Sequence, residues 1–163
     1  MQAVLGRKGD YSVRAMLHLA RHGAKGRQKA RVVAATMDIP DRYATQILAN
    51  LVSHGLLAAT AGPDGGYELA RPADDISLLE VVEAAEGPIR LDRCVLRGGS
   101  CDWRNVCPIH EAWSRAQNAL IEQLAETSFD DLIRIDTAIS AGTYQLPSGI
   151  SLHEAANHQT GKR

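Results

Sequence analysis

The sequence predicts a mainly α-helical chain with one small β-hairpin and a long helix near its C-terminus. Three observations carry this. Apolar residues recur at three- and four-residue steps through most of the chain. One Gly-rich turn, Ala61-Gly62-Pro63-Asp64-Gly65-Gly66, lies between two short extended runs. A late apolar stripe, Ile109 to Leu124, follows a region already long enough to have its own core. Two helices joined by a tight turn and then a hairpin, in that order, make a winged helix-turn-helix.

The elements follow in sequence. Residues 10–22 predict a first helix with Val13, Met16, Leu17 and Ala20 on its apolar face, Tyr11, Ala15 and Leu19 widening that face, and Asp10 as its N-cap. Gly23 to Gly26 break it, and Arg27, Lys29 and Arg31 form a basic link. A short helix over 31–37 leads to the turn Asp38-Ile39-Pro40-Asp41, where Asp41 is placed to cap the next helix. That helix spans 42–53. It is predicted to bury Ile47, Leu48, Leu51 and Val52 and to expose Arg42, Thr45, Gln46 and Asn50. Gly55 stops it in a left-handed conformation. Residues 56–60 and 67–70 are the hairpin strands. Ser77-Leu-Leu-Glu80 is a capping box opening a helix through Ala85, with Leu78, Val81, Val82 and Ala85 inward. Pro108 sits at the first turn of the long helix, whose stripe is Ile109, Trp113, Ala116, Leu120 and Leu124. A stripe this late predicts a dimer seam. A shorter helix falls within 127–139, and the polar, unpatterned residues after it predict a disordered tail. The domain expectation is therefore a DNA-binding unit over 1–90, a cysteine loop over 91–108, dimerisation helices over 109–139 and a tail over 140–163.

Aromatic residues are 4% of the chain against 45% hydrophobic overall, which predicts an aliphatic core. No apolar run reaches the length of a membrane span and no signal-peptide pattern opens the chain, so the expectation is a cytoplasmic protein without membrane association. Residues 1–71 carry ten Lys/Arg against five Asp/Glu, or +5, while residues 72–163 carry eight against fourteen, or −6. A basic first part predicts a polyanionic partner, double-stranded DNA. On this reading a second helix presenting Arg42, Thr45, Gln46 and Asn50 lies in the major groove, and the wing approaches the backbone or minor groove. The candidate DNA-facing residues are these four with Arg31, Tyr43, Gly62, Asp64, Gly65, Gly66 and Arg71. Neither a Ser/His/Asp grouping nor a phosphate-cradling motif is present, and the chain does not read as an enzyme.

All three cysteines, Cys94, Cys101 and Cys107, fall in one stretch with His110 three residues beyond the last. Their odd number and a reducing compartment disfavour a disulfide framework. Thiolates in one loop are the donor set of soft metals and iron–sulfur clusters. Zinc ligands are usually paired with about two to four residues between them. The gaps of six and five residues here suit a loop wrapped around a larger group, either a [2Fe-2S] or a [4Fe-4S] cluster. Structural zinc or a thiol switch on a winged module that binds protein is the alternative.

Five stretches carry a resemblance. They are Lys8-Gly-Asp-Tyr-Ser-Val-Arg-Ala-Met-Leu17, Ile39-Pro-Asp-Arg-Tyr43, Leu51-Val-Ser-His-Gly-Leu-Leu57, Gly62-Pro-Asp-Gly-Gly-Tyr-Glu-Leu-Ala-Arg-Pro72 and Ile76-Ser-Leu-Leu-Glu-Val-Val82. Over about residues 5–135 the chain resembles the Rrf family of bacterial winged-helix regulators, of the IscR and NsrR type. It departs at Ala61, where that family often carries arginine. The resemblance implies a homodimer on a palindromic operator and a three-cysteine cluster ahead of the crossing helix. It also implies a repressor that senses nitric oxide, oxygen, redox state or iron. It implies two candidates for a fourth ligand: His110, or Asp10 from the partner subunit.

Overall fold

The computed structural model describes residues 5–89, 93–94, 99–100 and 107–145. The chain divides into two compact units, Met1–Ile133 and Arg134–Arg163.

The first unit begins with α1 (Arg7–His22), α2 (Ala30–Thr36) and α3 (Asp41–Ser53). The wing follows as β1 (Leu57–Thr60) and β2 (Gly66–Leu69), antiparallel with Leu57 opposite Leu69 and Thr60 opposite Gly66. Then come α4 (Leu78–Glu86), the short antiparallel pair β3 (Arg93–Cys94) and β4 (Gly99–Ser100), and α5 (His110–Glu126). The mainly helical winged fold predicted from the sequence is the one observed. α6 (Phe129–Ser140) starts in this unit and ends in the second. In the second unit its last turn closes through Gly142, at φ +68°, and a bond from Thr143 N–H to the Ala138 carbonyl.

The core is built by the four helices that the 3.6-residue period marks out. α1 contributes Ala15, Met16 and Leu19, and α3 contributes Ala44, Ile47, Leu48 and Leu51. α2 adds Val33 and Ala34, and α4 adds Val81 and Ala84. The inward stripe of α4 therefore runs through Ala84 rather than the predicted Ala85, which is half-buried. The core is not purely aliphatic either. Phe129, the only phenylalanine, is fully buried at the start of α6, and its N–H donates to the Ile76 carbonyl at 2.9 Å. Thr127 and Ser128 hold this return in place: Leu78 N–H donates to the Thr127 carbonyl, and Ser128 bridges Ser77.

The predicted caps fare differently. Ser77 and Glu80 form the full reciprocal capping box of α4. Asp10 is not an N-cap. α1 starts three residues earlier, after Gly6, and Asp10 lies in its first turn, where a carboxylate complements the positive end of the helix. Asp41 makes no cap bond and is itself the first residue of α3 after Pro40, whose fixed φ suits the entry. Gly55, at φ +70°, ends α3 as predicted, and Leu56 N–H reaches back to the Leu51 carbonyl at 3.0 Å. Pro108 lies in a turn ahead of α5 rather than in its first turn.

Candidate nucleic-acid interface and cysteine segment

α2 and α3 meet at a tight turn fixed by the backbone. Asp38 takes φ +51°, and Ile39, buried beneath the turn, donates to the Ala34 carbonyl at 2.9 Å. α3 thus shows Arg42, Thr45 and Gln46 outward, all exposed, with Arg31 exposed on α2. The Arg42 guanidinium lies 4.8 Å over the Tyr43 ring. Tyr43 itself is half-buried, with its ring 6.0 Å from that of Tyr11 on α1. Asn50 is half-buried too, not outward as predicted, because it sits on the α3 stripe that faces α1.

A cleft of about 230 Å³ runs along that stripe. α1 lines it with Arg7, Lys8, Tyr11 and Ser12, α3 with Tyr43, Gln46, Ile47 and Asn50, and α4 with Ala85, so the floor is largely apolar and the charge comes from Arg7 and Lys8. Next to Ala85, Glu86 reaches the head of α1, where its carboxylate accepts the Gly9 N–H at 2.8 Å. Gly6 and Gly9 permit this approach, since a Cβ at either position would fall within 2.8 Å of the carboxylate.

The wing is held by the basic link. Gln28 and Tyr67 exchange both backbone hydrogen bonds at 2.9 Å, adding a third extended segment beside β2. Arg27 pairs with Glu68 at 2.9 Å, and Lys29 Nζ donates to the Gly62 and Pro63 carbonyls at the tip. The four wing residues predicted together have different surroundings. Gly62 and Asp64 are exposed at the tip, whereas Gly65 and Gly66 are buried. A Cβ on Gly65 would lie 2.1 Å from the Thr60 carbonyl oxygen, and one on Gly66 2.7 Å from that of Gln28. These two glycines are needed for chain packing. Arg71 is bound internally as well: it donates to the Asp75 carbonyl at 3.0 Å and pairs with Glu80 at 2.6 Å. Burial pushes the Glu80 carboxyl up, but the Ser77 backbone bond and Arg71 outweigh it and hold the group below the usual range.

In the cysteine segment, β3 and β4 place Cys94 opposite Gly99, so the backbone doubles back between the first two cysteines. Cys101 lies outside the described residues. Cys107 is a half-buried free thiol whose carbonyl accepts the His110 N–H at 3.1 Å. His110, exposed, opens α5. Asp10 is ion-paired with Arg14 at 2.9 Å. No group of three metal-binding side chains is gathered among the described residues. A doubled-back segment carrying soft thiolate donors with a free thiol at its exit fits a cluster in donor chemistry.

α5 has no buried residue over its seventeen positions. On its stripe Trp113 and Leu124 are half-buried, while Ala116 is exposed and Ile109 and Leu120 are 39% and 47% exposed. His18 on α1 is 2% exposed and stacked on His22 at 4.4 Å. Among the described residues neither of its ring nitrogens has a hydrogen-bond partner. Desolvation, then the charges of His22 and Arg21, push its pKa down.

The family model for Rrf2, an iron-dependent transcriptional regulator, matches residues 5–135. The chain belongs to the Rrf2 family. It is 30% identical over 126 residues to the transcriptional regulator IscR of Pectobacterium carotovorum, covering 77% of this chain and 76% of that protein. Among solved structures, IscR of T. potens superposes with a TM-score of 0.70 at 25% identity, over 90% of this chain and 96% of the other. CymR, the global cysteine regulator of B. subtilis, does so with 0.70 at 25%, over 82% and 98%. This Rrf2 protein is accordingly a DNA-binding transcriptional regulator and not an enzyme. No helix among its described residues is long and apolar enough to cross a membrane.

The basic link and the α1 head were under-read in the sequence. Arg27 and Lys29 stood out as charge, but nothing in their spacing announced a bond to a wing more than thirty residues away. Arg7 and Lys8 fell in what reads as a lead-in.

Proposed function

We propose that this Rrf2 protein is a homodimeric repressor whose hold on a palindromic operator is set by an iron–sulfur cluster on Cys94, Cys101 and Cys107. The observation that carries the reading is the position of the cysteine segment. It links α4, whose last residue Glu86 binds the head of α1, to α5, the apolar helix that no other element buries. The first connection leads to the reading face and the second to the partner.

Each part has a role. Arg42, Thr45 and Gln46 reach base edges in the major groove, with Tyr43 and Asn50 supporting them from the α1 side. Gly62 and Asp64 at the tip, with Lys29 bonded to it, and Arg31 on α2 meet the backbone. Gly65, Gly66 and Arg71 keep the wing in shape. The stripe Ile109, Trp113, Ala116, Leu120 and Leu124 pairs with its copy in a second protomer. The three thiolates hold the cluster, and Asp10 of the partner or His110 completes its ligand set; Asp10 must give up Arg14 to do so. The cluster, when bound, supplies a centre whose oxidation, nitrosylation or loss changes the charge and bonding of the segment. Half-sites lie about one turn of DNA apart, ~34 Å, so a small change in head spacing weakens binding strongly.

The test is anaerobic purification followed by visible absorption, iron and sulfide analysis, and titration of operator DNA with and without the cluster. Colour, iron and sulfide that vanish in Cys94→Ala, Cys101→Ala or Cys107→Ala, with DNA affinity changing in parallel, support the reading. Equal affinity in both states removes the sensing role. One zinc with no iron or sulfide assigns the segment to structural zinc instead. Asp10→Ala and His110→Ala separate the two fourth ligands by which one alters the spectrum.

A further inference from the structure

We infer that the cleft between α1 and α3 seats a backbone phosphate of the bound duplex, gripped by Arg7 and Lys8. The inference rests on the DNA-binding reading and names a contact that the reading face alone does not supply.

The cleft shares Gln46 with the outward face of α3, so a duplex laid along that face brings its sugar–phosphate edge over the mouth. Its charge comes from side chains. The backbone end of α1 is already taken by Glu86, which accepts from Gly9. Asp10, the other carboxylate there, is neutralised by Arg14 at 2.9 Å.

Among the described basic residues of the first unit some are ion-paired and others, Lys25, Arg31 and Arg42 as well as the two at the cleft, are not. Arg14, Arg27, Arg71 and Arg115 are spent on internal ion pairs with Asp10, Glu68, Glu80 and Glu111. Arg7 and Lys8 are exposed and have no ion-pair partner among the described residues. Cations without an internal partner at the edge of a recognition helix are the groups that release counterions on DNA binding. Inside the cleft, Ser12 is only 1% exposed yet lines the wall, offering a hydroxyl to a phosphate oxygen.

The experiment measures binding of mixed-sequence duplex DNA across a salt series, because phosphate contacts act on any sequence. Arg7→Gln and Lys8→Gln are compared with wild type and with Arg115→Gln on α5 as the control cation, thermal unfolding confirming that each is folded. Each cleft variant is expected to make the slope of log K against log salt shallower by ~0.9 per protomer, while Arg115→Gln leaves it unchanged. Lys8→Arg should restore the slope. Slopes unchanged in Arg7→Gln and Lys8→Gln overturn the inference while wild-type binding leaves the DNA reading intact. A wild-type chain that binds no duplex removes both. Saturable binding of inorganic phosphate that depends on Arg7, with DNA slopes unaltered, gives the cleft to a small free anion and also overturns it.

Discussion

Gly65 and His18 show how much can depend on one side chain, or on its absence. Gly65 has no room for a methyl group, because a Cβ would meet the backbone of Thr60 at 2.1 Å. Backbone cannot rotate away as a flexible side chain can. Gly65→Ala should therefore destabilise the fold by about 1–3 kcal/mol, read as a lowered denaturant midpoint, whereas Gly62→Ala should act through its φ of +101° alone. His18 works through protonation. Its folded pKa lies below the ordinary 6.5, so the unfolded chain binds the proton more readily. Stability is complete above that ordinary value and is lost as pH falls from it through the folded value. Unfolding free energy measured from pH 7.5 to 5 should fall less steeply in His18→Leu than in wild type, and identical slopes would show that folding does not lower the His18 pKa. Neither residue could be ranked from the sequence. Gly65 looks like any turn glycine, and His18 looks like one of six histidines until burial singles it out.

At the level of elements, periodicity was the readable signal and end points were not. On α3 the spacing places Ile47, Leu48 and Leu51 inward with Val52 half-buried, whereas on α1 the fully buried line runs through Ala15, Met16 and Leu19 and leaves Val13, Leu17 and Ala20 half-buried. The start of α1 is not legible because Gly6 and Gly9 argue against a helix, and the distant Glu86, whose carboxylate accepts the Gly9 N–H, supplies the contact that holds it. The Ser77–Glu80 box was legible because both partners are local; Ser77→Ala should cost α4 about 1 kcal/mol in a chemical denaturation. For α5 the sequence pattern and the exposure agree. A helix of seventeen residues with none buried is not stable through propensity alone. If α5 is the proposed dimer seam, Leu120→Glu should give a monomer in sedimentation and abolish operator binding, while the first core melts nearly as before. A variant that stays dimeric would move the seam elsewhere.

For the whole molecule, the ordered set of helices and wing and the basic first part pointed to a DNA-binding regulator before any coordinates. The basic first part carries the reading helix, and the donor set occurs once, between the reading unit and α5. The dependence of one region on another was not readable, because it runs through contacts far apart in the chain: Glu86 to Gly9, Gln28 to Tyr67, Phe129 under Ile76. These contacts leave the cysteine segment outside the first core, to which it contributes no residue among those described. Removing the proposed cluster should change DNA affinity without loss of helix content by far-ultraviolet circular dichroism. A large loss of helix would make the cluster a folding cofactor.

The paired bonds between Gln28 and Tyr67 limit how such a protein can be switched. They splice the hairpin to the strap leading into α2, so neither can swing while the other stays put. In the proposed dimer each half then handles DNA like a tool with no moving jaws. On that reading the adjustable quantity is the stance of one tool relative to its twin, so an inducer that silences such a repressor acts by changing that stance and can leave each grip unaltered.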